Sequence, residues 1–291
     1  MRKRFLPYEL TVNCCSVVFH RKENTALRAG VDPKKISVIS NAVDTACFTP
    51  DPFQRQSDSI TVVVISRLVY RKGVDLLSGV IPVICSSHPR VNFIIGGDGP
   101  KRIVLEEVIE QNQLQERVTL LGSVKHEQVR DVLVKGDIFL NSSLTEAFCM
   151  AIVEAASCGL QVVSTNVGGI PEVLPPDLVW LAEPSIEGLV QALERAITDK
   201  QEGRVVDPHE CHKRITGYYQ WNNIADRTLT VYNQACEGQA ATLKTSLQKL
   251  LTCGPIFGPV FVIIALIEHL IFFIYTWLVP VESIDLAIDL S

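Results

Sequence analysis

Positive charge is the first thing this sequence is short of. Its 291 residues carry 27 Lys and Arg against 32 Asp and Glu, a formal net charge of −5. A general nucleic-acid binder shows the opposite balance, so that class is set aside. The nine cysteines contain no C-x-x-C pair and are scattered singly apart from Cys14-Cys15. An odd, unpatterned set in an α/β chain reads as reduced, mostly buried thiols in a cytosol-facing domain. His209, Cys211 and His212 have no further metal-like companions nearby and read as a surface cluster. The dinucleotide fingerprint G-x-G-x-x-G is absent, which disfavours an oxidoreductase. Internal repeats and low-complexity tracts are also missing. Nor is a secretory signal expected: Met1-Arg2-Lys3-Arg4 is a basic start, but Pro7, Glu9 and Asn13 interrupt any apolar run behind it.

What is present is a core and a pattern. Hydrophobic residues make up 47% of the chain and charged ones 20%, ample for a packed domain. The runs Ile60–Ser66, Val91–Gly96, Val118–Leu121, Ile138–Ser142 and Gln161–Ser164 are rich in Val and Ile and predict buried strands. Helix-like segments lie near 72–87, 101–114, 126–135, 148–158 and 185–200, with closing helices over 208–235. Such alternation predicts a parallel sheet covered on both faces, a Rossmann-like α/β domain whose ligands bind at the carboxyl ends of the strands. A polar stretch over 236–254 reads as a linker.

Ile256–Val279 is of another kind. Sixteen of its 24 residues are Ile, Leu, Val or Phe. As a helix it spans roughly 36 Å, enough to cross a bilayer core with some tilt. Lys244 and Lys249 precede it and no Lys or Arg follows, so the large domain is expected on the cytoplasmic side and the tail after Val281 on the lumenal side. Glu268 and His269 fall inside the span, where polar groups usually meet a partner. A contact with another membrane subunit is one reading; a protonated, unpaired Glu268 is the other.

Two segments carry chemistry. In Ser143-Leu144-Thr145-Glu146-Ala147-Phe148-Cys149-Met150-Ala151-Ile152-Val153-Glu154, two glutamates stand eight residues apart. One ends a strand loop and the other is embedded in an apolar helix. Eight helical residues cover about 12 Å, too wide for the carboxylate pair of a glycoside hydrolase and suited to gripping two ends of one ligand. Backbone N–H groups at Ala147, Phe148 and Cys149 would face a hydroxyl-rich or anionic group. Ser66-Arg67-Leu68-Val69-Tyr70-Arg71-Lys72-Gly73 follows the first predicted strand. Arg67 and Lys72 are placed there to hold a diphosphate, Arg71 reads as solvated, and with two cations no divalent metal is required. Gly96-Gly97-Asp98-Gly99-Pro100 reads as a tight turn, and Gly168-Gly169-Ile170-Pro171-Glu172 as a cleft loop. Asn141-Ser142-Ser143 matches a glycosylation sequon but sits at a strand end, so no modification is expected.

These motifs, with Asn41-Ala42-Val43-Asp44 and Phe48-x-Pro50, resemble the retaining glycosyltransferases of the GT-B fold. The stretch from Leu144 to Thr165 and the C-terminal apolar helix are similar to the family of catalytic subunits that start glycosylphosphatidylinositol-anchor synthesis. That resemblance implies transfer of N-acetylglucosamine from UDP-GlcNAc to phosphatidylinositol at the endoplasmic reticulum membrane, by a multi-subunit complex and with retention of configuration. It places Arg67 and Lys72 on the diphosphate, Glu146 with the backbone of Phe148 and Cys149 on the sugar, Glu154 on the ribose, and the loop at Val124 near the uracil. It implies no cofactor beyond the donor itself.

By the same resemblance, residues 1–42 correspond to the end of an acceptor lobe and its hinge, with Lys22–Arg28 its last helix. Residues 43–235 are the donor lobe, 236–254 a linker, 255–280 the membrane helix and 281–291 a lumenal tail. Most of an acceptor lobe is not represented, so activity of this chain alone stays open. A membrane-anchored subunit that binds nucleotide sugar without turnover is the alternative, as is a related transferase with another acceptor.

Overall fold

The structure is a computed structural model that describes residues 15–17, 36–237 and 243–279. Expectations placed on 1–14, 18–35, 238–242 (part of the stretch read as a linker) and 280–291 lie outside the described residues. The chain forms two compact units, Ser16–Val231 and a second made of Tyr232–Ser291 with Met1–Cys15.

The first unit is built on an open sheet. After β1 (Cys15–Val17) and β2 (Ile36–Val38), which form a small two-stranded sheet, come β3 (Ile60–Ile65), β4 (Val91–Gly96), β5 (Val118–Gly122), β6 (Ile138–Asn141), β7 (Gln161–Thr165) and β8 (Val179–Ala182). The last six make one sheet in the order β5-β4-β3-β6-β7-β8, with every pair parallel. Each of the five predicted strands is there. β8 was not predicted: it is four residues long and only its ends are buried, so it lacks the continuous apolar run of its neighbours.

The helices between the strands are α1 (Val74–Ser87), α2 (Arg102–Gln111), α3 (His126–Leu133), α4 (Met150–Ser157) and α5 (Ile186–Gln201), followed by α6 (Pro208–Tyr219) and α7 (Trp221–Glu237). In α1 the buried residues Val74, Leu77, Ile81 and Ile84 recur every three or four positions, the stripe that seats a helix on a sheet. Strand residues alternate between two cores. Val62 and Val64 join α1 and α5 on one face, whereas Val63 joins α3, α4 and α6 on the other. That alternation follows from the two-residue period of a strand.

Caps mark the later helices. Ser185 Oγ accepts from Gly188 N at 3.0 Å, and Asp207 Oδ1 accepts from His209 N and Glu210 N at 2.9 and 3.1 Å, with Pro208 in the first turn. The reading of His209, Cys211 and His212 as a surface cluster holds for the exposed His209 and is corrected for Cys211 and His212, because α6 packs one face against α4. Cys211 is buried with its thiol on Ala156 O, and His212 Nδ1 lies 2.8 Å from Ser157 O. Burial pushes the Cys211 thiol up to about 11.

Asp137 pins three elements together. Its buried carboxylate accepts from Thr61 N at 3.0 Å and pairs with Lys200 Nζ at 3.0 Å, joining the start of β3 to α5 at the entrance to β6. Asp137→Ala strands a buried N–H and a partly buried ammonium, and is expected to lower stability by about 2–3 kcal/mol in urea unfolding. A change within about 0.5 kcal/mol would remove this role.

In the second unit, Leu243–Leu251 forms a helix, α8, inside the stretch read as a linker. It is followed by α9 (Phe257–Leu278), 22 residues long with a mean hydropathy of 2.4 over its most apolar window. Only 6% of that window is buried, so α9 is not a core helix of this chain. Its length and composition suit a membrane anchor.

Candidate functional site

The strand order reverses between β3 and β6, and open parallel sheets bind ligands just beyond the carboxyl ends at such a switch point. The two loops that leave these strands, Ser66–Gly73 and Ser142–Cys149, are the two chemical segments of the sequence. They are fastened to each other: Leu144 N donates to Arg71 O at 2.9 Å and Ser142 Oγ to Lys72 O at 2.9 Å. Gly73 makes the approach possible. Its φ is +66°, and a Cβ there would sit 1.8 Å from Ser142 O.

Between the loops lies a groove of about 420 Å³. Arg67, Lys72, Glu146, Ala147, Phe148 and Cys149 all line it, together with Asn41 and Asn141. Lys72 Nζ is hydrogen-bonded and ion-paired to Glu146 Oε2, with both side chains about four-fifths buried. Arg67 is exposed at the rim and makes no side-chain hydrogen bond or ion pair among the described residues. Arg71 is exposed, as expected of the solvated member of the trio.

Glu146 is held through its backbone by the Gly168-Gly169 loop. Gly169 N donates to Glu146 O at 3.1 Å, and a Cβ on Gly168, whose φ is +55°, would lie 1.9 Å from the same oxygen. Further bonds tie the floor of the site together. Asn141 Nδ2 donates to Ser164 Oγ, Ser143 Oγ to Asn141 Oδ1, and Thr165 Oγ1 to Ser143 O. Asn141 is therefore buried and engaged, so the sequon is closed to glycosylation in the folded unit.

The expected helical spacing between the two glutamates needs correction. α4 starts only at Met150, with Cys149 as its N-cap at φ +65°, so residues 147–149 are loop and the 1.5 Å rise does not apply to them. Neither Ala147 nor Cys149 donates its backbone N–H to another described residue. Phe148 is buried and meets Tyr219 edge-on at 5.5 Å. The Cys149 thiol is pushed up to about 11 by burial, with Lys72 acting the other way.

Glu154 and Val124 do not line the groove. Val124 packs over Gly96, where a Cβ would come within 2.9 Å of its Cγ2. Gly97 N donates to Gly122 O, and Leu68 N to Asp98 O, so the glycine-rich turn braces the Arg67 loop. Glu172 lines a separate groove with Val38, Tyr218 and Arg227.

Glu154 is 9% exposed, and burial raises its pKa above the usual carboxyl value, with His126 opposing. Above the unfolded value the folded state keeps a proton that the unfolded chain has released, so stability falls as pH rises through this window. Glu154→Gln is expected to be more stable than the parent at neutral pH, with the difference vanishing below about pH 4.5. Thermal melts across pH read this directly; a pH-independent difference would contradict it.

Two cations and a carboxylate at the switch point of a parallel α/β sheet suit a phosphorylated ligand that also presents hydroxyl groups. This is the Rossmann-like lobe of a GT-B glycosyltransferase. The chain belongs to the family described as glycosyl transferases group 1, which matches residues 48–212. It is 53% identical over 287 residues to a Homo sapiens subunit of phosphatidylinositol N-acetylglucosaminyltransferase, covering 96% of this chain and 59% of that one. It is 50% identical over 269 residues to the subunit of the same name from Arabidopsis thaliana, covering 92% of this chain and 60% of that one. The chain thus spans about three-fifths of the length of these relatives. Among solved structures, sucrose-phosphate synthase from Thermosynechococcus elongatus superposes with a TM-score of 0.65 at 22% identity, covering 80% of this chain and 61% of that one.

Proposed function

We propose that this chain is the donor lobe of an enzyme that transfers N-acetylglucosamine from UDP-GlcNAc to phosphatidylinositol, the first step of glycosylphosphatidylinositol-anchor biosynthesis. The observation that carries this reading is the 53% identity to the human subunit named for that activity, over nearly the whole chain. The groove at the switch point supports it chemically. Arg67 and Lys72 take the diphosphate, Arg as a fork and Lys as a point charge, and stabilise departing UDP. Glu146, already in contact with Lys72, orients the sugar hydroxyls beside the backbone of Ala147, Phe148 and Cys149. The family resemblance gives Glu154 the ribose hydroxyls and Val124 the uracil, although both lie outside the lining of this groove, so these two roles need the donor to extend beyond it.

Retention follows from attack on the face that the leaving group vacates. The sugar C1–O bond to phosphate breaks, the inositol oxygen bonds to C1, and the inositol proton passes to the departing phosphate oxygen. The enzyme sits in the endoplasmic reticulum membrane through α9, with the donor lobe cytoplasmic and the C-terminus lumenal, among other membrane subunits.

The test is UDP-GlcNAc-dependent labelling of phosphatidylinositol in membranes that lack the endogenous activity. The chain is supplied as it stands or joined to the acceptor lobe of a full-length relative. Labelled glycolipid from either form supports the reading. UDP-GlcNAc binding without product from both would make this a non-catalytic donor-binding subunit.

A further inference from the structure

Between Glu237 and Glu268 the sequence contains no acidic residue, although the whole chain is net negative. The only charges there are Lys244 and Lys249, both exposed on α8 and neither ion-paired among the described residues. The same nine-residue helix carries Leu243, Leu247, Leu250 and Leu251. At 100° per residue these four leucines fall within an arc of about 100°, and Lys244, Thr245, Gln248 and Lys249 occupy the rest of the circumference.

The helix is also placed by its neighbour. Five residues, Thr252–Ile256, join it to α9. Its last turn packs on the first turn of α9, where a Cβ on Gly258 would lie 2.7 Å from Leu251 O. Leu251 nevertheless stays 51% exposed. A short amphipathic helix that abuts the entry of a membrane-spanning helix is held at the lipid–water boundary. There leucines enter the acyl region and lysines reach the headgroup phosphates.

We infer that α8 is a membrane-surface helix that binds anionic phospholipid headgroups through Lys244 and Lys249. The occupant is the membrane's own anionic glycerophospholipid, because lysines beside a membrane entry, with no ion-pair partner among the described residues, complement a phosphodiester that lies in the same plane. The inference rests on α9 as a membrane anchor. Where the proposed acceptor is correct, it has a consequence: phosphatidylinositol is itself anionic and is enriched around this anchor.

The test uses the full chain in nanodiscs of phosphatidylcholine, with or without phosphatidylinositol, read by amide hydrogen exchange over 243–251. Slower exchange in the anionic discs is expected. The protection should fall about five-fold for each lysine replaced in Lys244→Gln and Lys249→Gln, and shrink with added salt. Lys244→Arg and Lys249→Arg should retain it. Equal exchange in the two lipids, or protection unchanged in the double glutamine variant, overturns the inference. The readout does not need turnover. Anionic-lipid protection without any glycolipid product would therefore leave this inference standing and remove only the acceptor assignment.

Discussion

Glu146→Ala is expected to lower UDP-GlcNAc-dependent transfer by about a hundred-fold or more, with the protein still folded. The side chain is four-fifths buried in the groove and touches Lys72, so its removal takes away a positioned acceptor and frees the ammonium that it orients. Losses of roughly this size accompany removal of one preorganised polar group at a reacting centre. Stability should fall by only about 1–2 kcal/mol, the cost of leaving the Lys72 ammonium without its partner, because the carboxylate makes no other side-chain bond among the described residues and the backbone is fixed by Gly169. Glu146→Gln keeps the shape but not the charge. It should recover part of the sugar contact while leaving Lys72 unneutralised. Rates within about three-fold of the parent for Glu146→Ala would place sugar recognition elsewhere.

Gly168→Ala should be nearly as damaging by an indirect route. The added methyl would meet Glu146 O at 1.9 Å, and alanine at φ +55° carries a further penalty of about 1–2 kcal/mol. Backbone rather than a flexible side chain stands in the way, so the 145–149 loop must move. The expected result is a loss of about 2–3 kcal/mol in stability together with a fall in kcat toward the Glu146→Ala level. A purely structural effect would lower stability and leave kcat of the folded fraction unchanged. Denaturation and active-site titration on the same preparation separate the two.

The strands of the sheet were legible because a parallel sheet buried on both faces needs unbroken Val and Ile runs, such as Val62–Ile65 and Val162–Val163. Val179–Ala182 was not, since an edge strand that keeps Leu181 exposed has no such run. Leu243–Leu251 escaped for a related reason. Four leucines among Lys, Thr and Gln look polar on average, and only their spacing marks a helix.

At the site, Lys72 and Glu146 were each legible as ends of strand loops. Their contact was not, because it depends on β3 and β6 being neighbours across 74 residues of sequence. The helix expected from about residue 148 starts at Met150, after Cys149, whose left-handed backbone no residue-type preference announces. The bracing of Glu146 by Gly168-Gly169 had a visible signal in the paired glycines. Its target lay in another loop and could come only from the fold.

Donor binding is the decisive measurement for the groove between the Ser66–Gly73 and Ser142–Cys149 loops, because it needs neither an acceptor nor a partner. Calorimetric titration of the purified full chain with UDP-GlcNAc and with UDP compares the parent with Lys72→Ala and Glu146→Ala. Lys72→Ala should weaken both ligands through the shared diphosphate. Glu146→Ala should weaken UDP-GlcNAc and spare UDP if, as proposed, its carboxylate serves the sugar. No binding by the parent, or equal affinities in all three proteins, would contradict the assignment of this groove to the donor.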